Sequence, residues 1–401
     1  MPEANTAGRK RFLRIRHTGR ASQVMIYLGK QFRFFINESD WKVLPMAAVI
    51  AGLVAMVIRN KFFVNMEGSL IGAFALTCVA IWNGCFNSIQ AVCRERAIIK
   101  REHRSGLHIT AYVTAHMIYQ FLLCLAQTVL TMFVLRQLGV KIPKDGYITK
   151  WMIVDVGFTM LLITYAADMM SLFLSSVSRT TTGAMTVMPF ILIFQLVFSG
   201  GIIPLPEWSR PLSNFTISNY GIRALAAQSG YNDLPMTSVW NTVSGMKDSE
   251  IGGTVTVGEL QEFMDSPALQ KYRDEIVIKS FTVGEAEELL DTKVKTGSEE
   301  QLNEPVTAGE IMDFIKNSEA LKEKKDRTIT VNMTVGELLE IFGEQNVKKF
   351  VQEKTAEAAF KPEYELTGGN LAINWMALCV FILGFALLAT IALELIDKDK
   401  R

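Results

Sequence analysis

The chain has 401 residues, 49% of them apolar, yet 20% are charged and the mean hydropathy is +0.22. That mixture sets very apolar stretches beside very polar ones and excludes a wholly disordered chain and a disulfide scaffold. The net charge of +1 hides two opposite parts: residues 204–370 carry 17 Lys+Arg and 28 Asp+Glu, net −11, and the remainder is +12. Most cations of the basic part flank apolar segments, which points to a membrane and not to nucleic acid.

Residues 1–40 form a basic arm without the apolar run and cleavage site of a secretory signal. Within it, Val24, Tyr27, Leu28, Phe32 and Phe35 recur near helical spacing. This predicts an amphipathic helix over 22–40 lying on the inner membrane surface, with a plain extension of the first span as the alternative.

A helix crossing about 30 Å of hydrocarbon needs about 20 mostly apolar residues. Five stretches meet this: Leu70–Val92, Ile109–Leu135, Trp151–Leu174, Gly183–Ile203 and Leu371–Leu393. A sixth, Val43–Ile58, is shorter and is extended by Trp41, Phe62 and Phe63, with Arg59 and Lys61 able to snorkel. Short-loop cations set the orientation. The arm, the loop after the second span (Arg94, Arg96, Lys100, Arg101, Arg104), Arg179 and the C-terminal Lys398, Lys400 and Arg401 fall on one side, read as cytoplasmic with both termini. The 204–370 segment then lies outside, between the fifth and sixth spans.

Four phrases recur there: Thr256–Glu259, Thr282–Glu285, Thr307–Glu310 and Thr334–Glu337, each a Thr-x-Gly-Glu. Each reads as a capping box opening a helix, not as a phosphate loop, because no Gly-Lys-Ser/Thr follows. The longer match, "GELQEFMDSPALQKYRDEIVIKSF" with "GEIMDFIKNSEALKEKKDRTITVN", indicates a duplicated unit of about 51 residues. With β-like runs at Ile276–Phe281 and Thr328–Met333, it predicts a small α+β insert of pseudo-twofold symmetry. The organisation is therefore a basic arm and surface helix (1–40), five spans (41–203), a re-entrant or external segment (204–244), an extracytoplasmic α+β domain (245–369), and a last span with tail (370–401). The fold class is an all-α polytopic membrane protein with six transmembrane helices and that insert.

Catalytic chemistry is sparse. The five cysteines have no C-x-x-C spacing, the four histidines form no H-E-x-x-H, and no nucleotide motif is present. Polar residues within the spans draw attention instead. Asn83, Asn87 and Gln90 share a face of the second span at helical spacing, and Gln195 marks the fifth. Asp155 and Asp168 in the fourth are either functional carboxylates or partners of neighbouring polar groups.

The loop after the second span reads Glu95, Arg96, four residues, Arg101, Glu102, two residues, Ser105, Gly106. It resembles the E-R-x-x-x-x-R-E-x-x-S-G pattern of type-2 ABC exporter permeases of the G-subfamily kind. Ser199-Gly200-Gly201 with Pro204, then Ser218, Tyr220 and Arg223, resemble that family's fifth span and re-entrant turn. His108 stands where Tyr is usual, and Asp168 where a small residue is common. The resemblance covers about 230 residues and not the repeat insert.

The resemblance implies the permease subunit of an exporter, not catalytic alone, in the plasma membrane. It implies a separate ABC ATPase carrying ATP and Mg, a second copy or related permease, contact with membrane lipid, and no cofactor or metal on this chain. It assigns coupling to Glu95, Arg96, Arg101 and Glu102, and a substrate path for hydrophobic or amphipathic molecules to Asn83, Asn87, Gln195 and Phe198. The alternative is a mechanotransducer whose external domain controls an extracytoplasmic partner. An ion-coupled carrier would rest on Asp155 and Asp168 alone.

Overall fold

The computed structural model describes residues 19–37, 40–201, 205–256, 277–282, 305–307, 328–336, 339 and 343–395. Its helices, in chain order, are α1 (Arg20–Asn37), α2 (Val43–Ile58), α3 (Met66–Ser88), α4 (Ala91–Arg104), α5 (Ile109–Gln137) and α6 (Met152–Val177). They continue with α7 (Thr181–Val197), α8 (Arg210–Ser213), α9 (Ile217–Gln228), α10 (Ser238–Gly245), α11 (Glu344–Ala358) and α12 (Gly368–Glu394). Four strands are described: β1 (Glu250–Thr256), β2 (Val277–Thr282), β3 (Pro305–Thr307) and β4 (Thr328–Thr334). The residues fall into two compact units, one drawn from Met1–Val64, Gly68–Tyr231 and Pro362–Arg401, the other from Asn65–Glu67 and Asn232–Lys361.

In the first unit, five segments are long and apolar enough to cross a membrane: Asp40–Ile58, Met66–Arg104, Ile109–Gln137, Met152–Val177 and Gly368–Glu394. The fifth expected crossing was to run from Gly183 to Ile203. Its helix, α7, has 17 residues, about 26 Å at 1.5 Å per residue. It ends because the chain turns after Phe198, with Gly200 at a φ of 69°.

The second span also differs from expectation. Instead of one helix carrying Asn83, Asn87 and Gln90 on a continuous face, α3 stops at Ser88 and α4 starts at Ala91, with Gln90 at a φ of −106° between them. Partners on α6 account for the break. The backbone N–H groups of Val92 and Cys93 both donate to Ser175 Oγ at 3.1 Å, satisfying amides that open α4.

Helix α6 is the most enclosed, with 78% of its span buried against 28% for α12 and 22% for α2. Its contact with α3 is made by small residues. A Cβ on Gly84 would fall 2.1 Å from the Thr164 carbonyl oxygen and 3.0 Å from Ala167 Cβ. Ser171 Oγ donates to the Cys85 carbonyl at 2.7 Å across the same contact. Such backbone proximity is how helices associate where apolar burial gives no advantage over lipid.

In the second unit, β1 pairs antiparallel with β4, and β2 antiparallel with β3. Each strand ends on the Thr of one repeated phrase. The β2 and β4 positions coincide with the two β-like runs, whereas β1 and β3 were not expected. Advancing by one repeat carries β1 onto β3 and β2 onto β4, so it carries the β1–β4 pair onto the β3–β2 pair. Each two-stranded sheet therefore takes one strand from each repeat. The helices expected after Thr256, Thr282 and Thr307 lie outside the described residues. After Thr334, Val335 and Leu339 pack with Trp240 of α10, flanked by Val243 and Val347. The Gly336 N–H donates to the Lys247 carbonyl at 2.9 Å, and a Cβ there would stand 3.1 Å from that oxygen. A close backbone approach, and not an anion, accounts for that glycine. Glu67 opens α10 by accepting from the Thr237 and Ser238 N–H groups at 3.0 and 2.7 Å.

Candidate functional site

The residues assigned to coupling lie on α4, and their geometry depends on α1. Helix α1 lays aromatic residues along α5, with Tyr27 edge-on to Tyr112 at 5.5 Å and Phe32 edge-on to Tyr119 at 5.7 Å. Gln23, Tyr27, Lys30 and Gln31 follow the four-then-three spacing of one helical face. Tyr27 Oη donates to Glu102 Oε2 at 2.6 Å, and Lys30 Nζ meets Glu95 Oε2 at 3.0 Å. Gln23 Nε2 donates to the Gly106 carbonyl at 3.2 Å, while its Oε1 accepts from the His108 N–H at 3.0 Å. Gln31 Nε2 and His116 Nε2 lie 3.0 Å apart. Helix α1 is thus fastened to both ends of α4 and to the start of α5.

Glu95 is buried, at 4% exposure, and Lys30 is the cation it pairs with. Burial and the Glu102 carboxylate push the Tyr27 phenol above its ordinary value, which keeps it a hydrogen-bond donor. Arg96 turns the other way. Its Nη1 donates to the carbonyls of Ser176 and Ser178 at 2.7 and 3.2 Å, placing a cation on the C-terminal end of α6. Arg101 is exposed, as is Ile98. Glu95, Arg96 and Glu102 are therefore held within the protein, and Arg101 faces out.

The four path residues are not gathered in one place. Asn87 and Gln127 exchange two hydrogen bonds, of 2.8 and 3.0 Å, joining α3 to α5. Gln195 is buried and accepts from the Ile217 N–H at 2.8 Å, while the Ser218 hydroxyl donates to its carbonyl, so it holds the start of α9. Phe198 packs on Phe194 with ring centres 4.9 Å apart. Asn83 is buried in α3. A cavity of about 200 Å³ takes Asn87 and Gln90 into its wall, together with Gln31, Glu95, Tyr119 and Gln120, but not Asn83, Gln195 or Phe198.

The two carboxylates of α6 have partners that account for them. Asp155 accepts backbone N–H groups from Tyr147, Ile148 and Thr149 at 2.8, 2.9 and 2.9 Å, shaping the α5–α6 loop. Asp168 is fully buried and accepts from the Ser88 hydroxyl and from Cys124 Sγ, so it joins α3, α5 and α6. Sequence reasoning missed Tyr27, Lys30, Gln31, His116 and Gln127. The spacing of 23, 27, 30 and 31 was the available signal, because it sets a polar stripe beside the apolar one on α1.

Residues 22–228, from the first turn of α1 to the end of α9, match the family described as ABC-2 type transporter. Over 204 residues the chain is 28% identical to the ABC transporter ATP-binding/permease protein Rv1747 of Mycobacterium tuberculosis, which is 47% of this chain and 23% of that one. The match thus spans under a quarter of the relative's length. With more than half of its residues inside the family match and five helices able to cross a bilayer, the chain belongs to the ABC-2 type transporter family as a multi-pass membrane protein.

Proposed function

We propose that the chain is the membrane subunit of an ABC exporter, moving a hydrophobic or amphipathic substrate outward. ATP is hydrolysed with Mg on a separate ABC ATPase, and a second copy or a related permease completes the path. Helix α7 is the fifth of six crossings, since 17 residues is the short end of the spanning range. Both termini are cytoplasmic, and the acidic repeat forms an α+β domain outside. The junction of α1, α4 and α6 carries this reading. An ATPase pressing on α4 moves α1 through Glu95 and Glu102, and moves α6 through Arg96. Two-state rocking of packed helices needs linkages that carry motion from one helix to the next.

Reconstitution in liposomes with the ATPase tests it. Glu102→Ala and Glu95→Ala should insert and dimerise yet hydrolyse ATP without transport. Normal transport and normal hydrolysis in both would end the coupling role. For orientation, single cysteines at Lys144 and Asp248 in a cysteine-free background should label from outside, and one at Arg101 only after permeabilisation. The separate compact unit at 232–361 supports a second reading, a mechanotransducer. In that case hydrolysis responds to a protein bound by this unit and to no transported molecule.

A further inference from the structure

The last turn of α5 carries Arg136 and the loop from it to α6 carries Lys141, Lys144 and Lys150, and no side chain of these four has an ion pair or hydrogen bond among the described residues. On α4 and α1 the pattern is opposite, with Arg96 and Lys30 both engaged. The nearby acids form no ion pair with this group: Asp145 in the loop is exposed, and Asp155 in the first turn of α6 is occupied by three backbone N–H groups. Beside these cations lies a concave surface of about 540 Å³ lined by Arg136 and Lys144 together with Val140, Ile142, Pro143 and Trp151. Two cations in an otherwise largely apolar lining suit a molecule that is anionic at one end and apolar at the other.

The surrounding surface continues that chemistry. Val129 and Phe133, four residues apart on α5, are 61% and 57% exposed and lead along the helix to Arg136. Trp151, 61% exposed, stands at the start of α6, where a tryptophan meets the headgroup layer of a bilayer. We propose that this surface binds an anionic phospholipid, with the headgroup phosphate between Arg136 and Lys144 and an acyl chain along Val129 and Phe133. This lipid is a bound neighbour of the protein and not its cargo, so the assignment stands apart from the exporter reading. Paired cations would be poor phosphate ligands; these are held next to the site with their charge uncommitted.

The test is native mass spectrometry of the delipidated full chain titrated with phosphatidylglycerol, phosphatidylcholine or inorganic phosphate. Wild type should prefer phosphatidylglycerol over phosphatidylcholine by at least about tenfold, as two cations near the surface imply. The preference should fall to near unity in the Arg136→Gln/Lys144→Gln double variant and persist in Arg210→Gln, an exposed cation outside this surface. Equal binding of the two lipids, an unchanged preference in the double variant, or displacement of the lipid by millimolar phosphate would each overturn the proposal. So would efficient cross-linking of two copies through Lys144→Cys with a short reagent, which would give the surface to a second protomer.

Discussion

The α3–α6 contact and the α1–α4 junction join helices by opposite means. In the first, Gly84, Cys85 and Ser88 meet Ala167, Asp168 and Ser171, and the backbones themselves touch. In the second, Tyr27, Lys30, Glu95 and Glu102 reach across with long side chains, and the contacts are only partly buried. Short side chains have few alternative rotamers, so the first contact resists sliding. Long ones can follow a displaced partner while keeping their hydrogen bonds. A transporter needs both properties: a rigid body to be moved and a compliant attachment through which to move it.

The largest expected effect comes from breaking the rigid contact. A leucine at position 84 would have to displace the Thr164 carbonyl and the Ala167 methyl, since even its Cβ would be 2.1 Å from that oxygen. Gly84→Leu should cost more than the about 1–3 kcal/mol of ordinary overpacking, because the obstacle is backbone. Size-exclusion of detergent extracts should show little monodisperse protein. A wild-type profile and melting temperature would show that α3 and α6 are free to separate, and the contrast with the junction would fail.

Breaking the compliant junction should cost less in stability and more in coupling. Glu95→Ala leaves Lys30 without its carboxylate. Glu95 is 5% exposed at its side chain and Lys30 26%, so the loss should fall between the about 0–1 kcal/mol of an exposed pair and the about 3–5 kcal/mol of a buried one. Glu95→Gln keeps the shape and an acceptor but not the charge, and should recover part of the melting temperature. If Glu95→Gln melts as low as Glu95→Ala, charge rather than packing holds the junction. If neither variant shifts the melt, Glu95 does not fasten α1 at all.

The contrast explains what could be read beforehand. Spans over α5, α6 and α12 follow from apolar length, which is a local property, and their bounds came within three residues of those observed. The amphipathic α1 was legible from its spacing for the same reason. Glu95 and Glu102 were legible as a motif, but not their partners, because Lys30–Glu95 and Tyr27–Glu102 close over 65 and 75 residues. Seven residues apart on α4, Glu95 and Glu102 share a face by helical spacing, but spacing could not say that the face meets α1. The stop at Ser88 was illegible too, since Ser175, which receives the first amides of α4, lies on another helix. Asn87 and Gln195 were assigned to a path by resemblance, whereas their bonds to Gln127 and to the start of α9 close over 40 and 22 residues and are not written in local sequence.

Tyr27→Phe sharpens the comparison on a smaller scale. It removes one donor to Glu102 and keeps the ring against Tyr112. A hydrogen bond to a charged acceptor contributes about 1.5–3 kcal/mol, and partial exposure puts this one at the low end. The melting temperature should drop by less than in Glu95→Ala, while hydrolysis without transport should resemble Glu102→Ala. A variant that transports normally would place the coupling load on Lys30 and Glu95 alone.

The smallest effect on stability is expected at Arg101. It belongs to the same motif as Glu95, Arg96 and Glu102, yet its side chain is exposed and has no partner among the described residues. If the motif served only to brace α4 inside the protein, Arg101 would have no reason to be there. An outward cation beside the exposed Ile98 gives a partner both a charge and an apolar contact. Arg101→Ala should therefore leave the melting temperature within the shift of an ordinary surface substitution, about 0.5 kcal/mol. It should still weaken co-purification with the ATPase, and more so at low salt, where a rim charge counts most. Pull-down at low and high salt, beside a melt of the isolated chain, separates the two roles. An unchanged pull-down would make Arg101 a topological cation and leave the attachment to Ile98, whereas a lowered melt would mean that the residue braces α4 like its neighbours.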